Sequence, residues 1–373
     1  MLSLLTIISV LVVLRGMSDR LTSGTSLFSE RFVTIHLNML LSERAQSIIQ
    51  DNTDILVPHY DFDSIYGRWA FEHETRRSSY LRAWSEARNI DLVDTEVEIE
   101  VYSVEPKENV LWVELGESMK ISYRHRTRPE SDPDWFGIGA EHFLELVMKE
   151  RTWAIRKDWY LDPLDVDFET CVSCFPDIPV QASGGNGDGK HMYTYNRENA
   201  VAYADKYCGL AWGCGNTRKY NPKYKDFTGL GGDCTNFISQ VLGDEEAGGL
   251  PMTYAWRYLP HGPGTGATQA WAQASGLLNY MLGSGRAICI ARGTYTHLVT
   301  PDEMYLQGAI GELNKGDLIA YEKKGRICHF AVVVGSDSGS YLLVNSHTAD
   351  RYHVPWDLGW DQNTVFWLLK IVG

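Results

Sequence analysis

The feature that most constrains this chain is a glycine turn that runs directly into an amphipathic helix at Cys234. The paired residues Gly231 and Gly232 permit the positive φ values that an abrupt turn requires. The residues after Cys234 place apolar side chains on one stripe at helical spacing, namely Phe237, Ile238, Val241 and Leu242. The sequence therefore predicts a buried helix that begins at Cys234.

A thiol at the start of a helix lies at the positive end of the helix dipole, which favours thiolate over thiol. Thiolate is the nucleophilic form of cysteine. The neighbours Asp233 and Thr235 can accept hydrogen bonds from the N–H groups of the first helical turn. Two interpretations of Cys234 follow from these residues: a nucleophile, or a small buried residue that packs the start of the helix.

Three strands of an antiparallel meander are predicted near the end of the chain, over residues 316–321, 327–335 and 341–347. Alternate residues of a strand share a face, so His329 lies on the same face as Ala331 and Val333. We expect the meander to hold His329 next to Asn345 or His347 on a neighbouring strand. If this layer packs on the Cys234 helix, a thiol, an imidazole and an orienting polar group converge, as covalent catalysis requires.

The second half of the chain, roughly residues 193 to 373, resembles the putative amidase domain family. That family is similar to the CHAP and NlpC/P60 branches of the papain-like cysteine hydrolases. The segments that carry the resemblance are Tyr195-Asn196-Arg197, Asn221-Pro222-Lys223-Tyr224, Asp233-Cys234-Thr235-Asn236-Phe237-Ile238-Ser239-Gln240, Gly248-Gly249-Leu250-Pro251-Met252, Gly316-Asp317-Leu318-Ile319, His329, and Ser346-His347-Thr348 with Asp350-Arg351. The resemblance implies an α+β fold in which the helix bearing Cys234 packs on an antiparallel sheet.

The resemblance also implies roles for single residues. Cys234 is the expected nucleophile, and His329 is the expected general base and then general acid. Either His347 or Asn345 is expected to orient the His329 ring.

The oxyanion is expected to be held by the backbone N–H of Cys234 together with a second donor, for which Tyr224 is a candidate. Asp233 is also a candidate site residue, and we interpret it as a helix cap or turn anchor rather than as a catalytic acid.

The expected reaction is hydrolysis of an amide or peptide bond, with peptidoglycan or related peptides as the substrate class that the resemblance suggests. Two alternatives stay open at this point. The same acyl-enzyme can be resolved by an amine, which gives an acyltransferase. A catalytically silent module can instead keep the cleft and bind a peptide or glycan. We expect neither a metal nor a cofactor.

Composition fits a globular enzyme and excludes some partners. The chain has 373 residues, 44% of them hydrophobic and 22% charged, which is enough for a sizeable core. Its net charge of −14 argues against nucleic acids and anionic membranes as partners, because no basic run offsets the acidic residues.

We expect two domains. A glycine-rich tract over residues 182–190 marks a linker spanning 166–192. It separates an N-terminal domain (17–165) from the catalytic domain (193–373). Upstream of the linker, predicted helices and then alternating strands suggest an α+β domain of cystatin-like or NTF2-like shape, which we expect to modulate access to Cys234.

The apolar run at residues 1–16 is too short to span a bilayer, which needs about 20 apolar residues. Its length suits the core of a signal peptide, although a positive n-region is missing. Export, a start at Met17, and a cytoplasmic protein all remain open.

The seven cysteines leave at least one unpaired, and Cys171, Cys174, Cys208 and Cys214 are open to disulfide, zinc or plain thiol interpretations.

Overall fold

The computed structural model describes residues 30–149, 152–164, 194–215, 217–230, 232–260 and 266–373. The apolar N-terminal segment, the predicted linker and the Cys171–Cys174 pair lie outside these described residues. The fold combines helices with a large antiparallel sheet and is α+β, as expected. Within the described residues, no helix is both long and apolar enough to cross a membrane.

The elements of the N-terminal half are α1 (Glu30–Gln50), α2 (Ile65–Ala87), β1 (Ile90–Lys107), β2 (Val110–His125), β3 (Asp134–Lys149) and β4 (Thr152–Trp159). Those of the C-terminal half are α3 (Arg197–Lys206), α4 (Cys234–Gly243), α5 (Gln269–Ala272), α6 (Ala274–Gly283), β5 (Ala287–Gly293), α7 (Tyr295–Val299), β6 (Leu318–Lys323), β7 (Arg326–Ser336), β8 (Leu342–Ser346), β9 (Asp350–Pro355) and β10 (Val365–Ile371). The helix predicted to begin at Cys234 therefore begins there, and the three strands of the meander correspond to β6, β7 and β8.

The strands of both halves form one sheet, in the order β1-β2-β3-β9-β8-β7-β6-β10-β5, and β4 pairs with the C-terminal part of β3 on the same edge as β9. The two halves meet where β3 pairs with β9, through Gly137↔Tyr352 and Gly139↔Asp350. Both glycines are required there, because a Cβ atom at Gly137 would lie 1.9 Å from the carbonyl oxygen of Trp212. Two halves predicted to be joined by a flexible linker are thus also joined by backbone pairing.

The helix α4 lies on one face of the C-terminal part of the sheet. Its apolar stripe, with Phe237 and Ile238, packs in the same core as Phe330 and Val332 of β7. The intervening residues Ala331 and Val333 pack in a second core on the opposite face. Strand β7 is therefore buried on both faces, which explains why its sequence is almost continuously apolar.

The N-terminal half encloses a buried charge cluster. The Arg44 guanidinium donates to the carboxylates of Glu74 at 3.2 Å, Glu117 at 3.2 Å and Asp158 at 2.9 Å. The His142 ring lies between Asp158, at 2.9 Å from Nδ1, and Glu117, at 3.2 Å from Nε2. Because burying an unpaired charge is costly, each member of this cluster depends on its partners.

Removing Arg44 tests that dependence. We expect Arg44→Leu to lower the free energy of unfolding by about 3–5 kcal/mol, because three buried carboxylates lose their shared cation. Arg126→Leu is the matched control, since Arg126 pairs with Glu86 and Asp91 at the exposed surface and should matter little. Urea unfolding of both variants measures the difference, and equal losses would contradict the central role of Arg44.

Candidate active site

Cys234 is the first residue of α4 and is buried, with 7% of its surface exposed. Its Sγ lies 3.7 Å from the hydroxyl of Thr235. Asp233 occupies the N-cap position immediately before it. The local sequence determines this arrangement, because the turn ends at Asp233 and the apolar stripe of α4 begins directly afterwards.

Asp233 anchors the turn and does not cap the helix. Its Oδ1 accepts hydrogen bonds from the Phe227 N–H at 2.9 Å and the Asn236 side-chain amide at 2.8 Å. Its Oδ2 lies 2.7 Å from Nδ1 of His347. The side chain makes no capping bond to the backbone of α4, so of the two predicted roles, helix cap or turn anchor, its contacts are those of a turn anchor. The carboxylate instead contacts the loop before the helix, at Phe227, and the buried side chain of His347.

His347 carries a positive charge beside this turn. Nδ1 faces the Asp233 carboxylate and Nε2 lies 2.5 Å from the carbonyl oxygen of Tyr207. Both of these partners can only accept, so both ring nitrogens donate and the ring is an imidazolium. Burial lowers the pKa of His347, but the Asp233 carboxylate outweighs burial and raises the pKa above its ordinary value. The ring is stacked between Tyr220 and Phe237, with centroid distances of 3.7 and 3.8 Å.

This geometry is incompatible with the role predicted for His347. An orienting residue would have to accept a hydrogen bond from the N–H of His329. A ring that donates from both nitrogens has no lone pair with which to accept one. His347 therefore acts on Asp233, next to the thiol, and does not orient His329.

Asn345 is not positioned to orient His329 either. It lies opposite Val332 in the pairing of β7 with β8. His329 is three residues from Val332, and an odd separation in a strand places the two side chains on opposite faces. The Asn345 side chain donates to Asp205 at 2.8 Å and accepts from the His353 N–H at 2.7 Å. The prediction that Asn345 orients His329 is wrong for this reason of register.

His329 is fully buried on β7. Its ring lies 5.5 Å from the ring of Tyr321 and 5.6 Å from that of Trp360. Burial, with contributions from Arg351 and His347, holds the pKa of His329 well below its ordinary value. The ring is therefore neutral at pH 7.

Tyr224 lies at the other end of α4. Its hydroxyl donates to Asp244 at 2.5 Å, and Asp244 directly follows the last residue of the helix. A helix of 10 residues is about 15 Å long, so this hydroxyl is far from Cys234. The predicted contribution of Tyr224 to the oxyanion site is therefore wrong. The carboxylate of Asp244 holds the tyrosine against the C-terminal end of the helix.

Other residues of the site have no predicted role. The Thr348 hydroxyl accepts a hydrogen bond from the Asp233 N–H at 2.7 Å, and the Tyr220 hydroxyl donates to Asp350 at 2.6 Å. Thr348 and Asp350 stand in the segment that carries the family resemblance, which is the only sequence signal for them. Nothing in the sequence around Tyr220 indicates that it stacks on an imidazolium.

Side chains that can ligate a metal also cluster outside this site. In the described part of the chain, side-chain atoms of His125, Asp134 and Asp337 lie within 4.8 Å of one another. The Asp337 carboxylate already accepts hydrogen bonds from Tyr123 and His125, each at 2.8 Å. Cys208 and Cys214, for which disulfide and zinc interpretations were open, are not joined in a disulfide.

Comparisons with known proteins place these residues in a family. Residues 194–369 match the family described as putative amidase domain. Among curated proteins, no sequence matches this chain.

Among solved structures, the chain is similar to the intermembrane space region of the chloroplast protein ARC6, with 14% identity and a TM-score of 0.26. That similarity covers 36% of this chain and 96% of the other, and it is too slight to inform the fold. The resemblance noted in the sequence is thus confirmed for the C-terminal half, where residues 194–369 match the model of the putative amidase domain family.

Proposed function

We propose that this chain is a cysteine-dependent hydrolase of amide or peptide bonds, with Cys234 as its nucleophile. Membership of residues 194–369 in the amidase family supports amide hydrolysis. The observation that carries the proposal is the position of Cys234 at the first residue of a buried helix. The helix dipole stabilises a thiolate at that position.

The His329 ring is the proton acceptor in this proposal. Of the two histidines considered for this site, His329 is neutral at pH 7 because its pKa is held well below the ordinary value, whereas His347 donates from both nitrogens. The role requires His329 to come within hydrogen-bonding reach of Cys234 Sγ in the substrate complex, where catalytic hydrogen bonds commonly tighten. The thiolate then attacks the amide carbonyl and forms a tetrahedral intermediate.

The oxyanion of that intermediate is held by the backbone N–H of Cys234. The Asp233 carboxylate makes no capping bond to the backbone of α4 that would compete for this N–H, because it accepts from the Phe227 N–H and the Asn236 side-chain amide and faces His347. When the intermediate collapses, the protonated His329 delivers its proton to the leaving amine. Water then attacks the acyl-enzyme and regenerates the thiol.

His347 is a positioning residue in this mechanism. Its imidazolium holds the Asp233 carboxylate at 2.7 Å, and the backbone of Asp233 leads directly into Cys234. The stacked rings of Tyr220 and Phe237 fix the orientation of the imidazolium. The ion pair of Asp233 with His347 fixes the direction in which α4 begins, and with it the direction of the Cys234 side chain.

We propose peptidoglycan cross-links or stem peptides as the substrate class, as the resemblance to CHAP and NlpC/P60 enzymes suggests. An exported enzyme would meet this substrate, in keeping with the signal-like segment predicted for residues 1–16. We also propose that the C-terminal half is a papain-like folding unit (193–373), and that the N-terminal half (17–165), of NTF2-like or cystatin-like shape, modulates access to it.

The first test is replacement of the nucleophile. We expect Cys234→Ala to reduce hydrolysis of peptidoglycan fragments and small amides to background, because no thiolate remains to form the acyl-enzyme. Cys289→Ala is the matched control, since Cys289 lies half-buried on β5 and should leave turnover unchanged. Product release from each fragment is measured by mass spectrometry. Full activity of Cys234→Ala would end the thiol mechanism.

The second test concerns the base. We expect His329→Gln to lower kcat by about a hundredfold or more, because general base assistance is lost. The rate at which Cys234 is alkylated is measured as a function of pH in the peptide that contains it. We expect the inflection in this pH profile to disappear in the same variant. An unchanged alkylation profile, with the fold intact by circular dichroism, would show that His329 takes no proton from Cys234.

The third test concerns His347. Because its pKa is raised, its charged form stabilises the fold fully below its ordinary pKa of about 6.5, and this contribution is lost as pH rises through the folded-state pKa. We expect His347→Gln to lower the free energy of unfolding at pH 6 by about 2 kcal/mol. The loss should shrink at alkaline pH. A loss that is equal at all pH values would rule out the imidazolium.

A further inference from the structure

The loop that follows α3 begins and ends with a cysteine. We call residues 208–214 the thiol loop, after Cys208 and Cys214 at its two ends. Cys208 is fully buried, whereas Cys214 is partly exposed. The loop therefore joins a thiol inside the protein to one that solvent can reach.

The fold brings the two thiols to the same place at the end of α3. Cys208 Sγ donates to the carbonyl oxygen of Asp205 at 3.5 Å. Cys214 Sγ donates to the carbonyl oxygen of the next residue, Lys206, at 3.3 Å. The backbone closes at the same point, because the N–H of Gly215 also donates to the Asp205 carbonyl, at 3.0 Å.

The two thiols also contact each other. Burial, together with a hydrogen-bond contact from Cys214, raises the pKa of Cys208 well above its ordinary value. Thiols in such contact need only a small movement to reach the S–S bond length of about 2 Å. Because Cys208 stays protonated and inside the protein, Cys214 is the thiol that a reagent in solution meets first.

The thiol loop is tied to the residues around the candidate active site. The residue before it, Tyr207, offers its carbonyl oxygen to Nε2 of His347 at 2.5 Å. Within the loop, the N–H of Leu210 donates to the carboxylate of Asp350 at 2.8 Å. A covalent constraint on the loop would therefore act on the carbonyl that receives the His347 hydrogen bond.

We propose that Cys208 and Cys214 form a modification site, at which a small disulfide compound such as oxidised glutathione joins them in a disulfide bond. The proposal is independent of the hydrolysis proposed for Cys234. It assigns a chemical role to two thiols that the hydrolytic mechanism does not use.

The reaction proceeds by two thiol–disulfide exchanges. The thiolate of Cys214 attacks one sulfur of oxidised glutathione, which breaks the glutathione S–S bond, forms a mixed disulfide and releases one glutathione. Cys208 Sγ then attacks Cys214 Sγ, and the second glutathione leaves as a thiolate that takes the Cys208 proton. Two protein thiols are oxidised and one glutathione disulfide is reduced, so electrons and protons balance.

Peptide mapping tests whether the bond forms. The full chain carrying Cys234→Ala is incubated with oxidised glutathione, because the proposed nucleophile would otherwise compete for the oxidant. Trypsin cleaves after Lys206 and Arg218, so both cysteines lie in the peptide 207–218. We expect this peptide to become lighter by two hydrogen atoms and to resist alkylation. A peptide that retains a bound glutathione, or that is still alkylated on both cysteines, would overturn the proposal.

Thermal unfolding locates the stabilising bond. A disulfide that closes a short loop restricts the unfolded chain, so we expect oxidation to raise the Tm by about 3 °C. Cys214→Ser should abolish this increase. Cys289→Ser is the matched control and should keep it, since Cys289 is also partly exposed but its Sγ contacts the Ala291 carbonyl on β5. An increase that survives in Cys214→Ser would show that the stabilising bond lies elsewhere.

Hydrogen exchange tests the link to His347. Oxidation should slow amide exchange in the thiol loop and also around His347, because the His347 ring is bonded to the carbonyl of Tyr207. Both effects should be absent in Cys214→Ser. Slower exchange in the loop alone would contradict the link between the loop and His347.

Discussion

The geometry around Cys234 depends on one buried ion pair, that of Asp233 with His347. The pair joins the turn before α4 to the end of β8, and Thr348 adds a hydrogen bond to the backbone of Asp233. Taking both charges out of water is costly, and the two stacked rings of Tyr220 and Phe237 exclude the water that would otherwise compete. The turn that leads into Cys234 is thus held by contacts of its neighbour Asp233.

Local sequence was sufficient to predict the elements that carry the site. The start of α4 at Cys234 follows from a turn and an apolar stripe, and β6, β7 and β8 follow from β-branched runs between turns. These signals lie within a few residues of one another, so they need no knowledge of the tertiary structure.

The partners of each histidine could not be predicted in this way. A register shift between Val333 and Gly335 determines which residue of β8 faces β7, and a strand period of two residues does not reveal such a shift. The acceptor of His347 Nε2 is a backbone carbonyl at Tyr207, 140 residues away, and every residue type presents the same carbonyl. The family resemblance names the residues of the site, but the folded chain determines which of them meet.

The short pairing of β3 with β9 has a consequence for any attempt to separate the halves. Without β3, the backbone N–H and C=O groups of β9 around Arg351 would form an open edge, and open edges recruit strands from other molecules. A severed C-terminal half would therefore self-associate through β9. A loss of activity on truncation would then be explained by aggregation as well as by the absence of a regulatory N-terminal half.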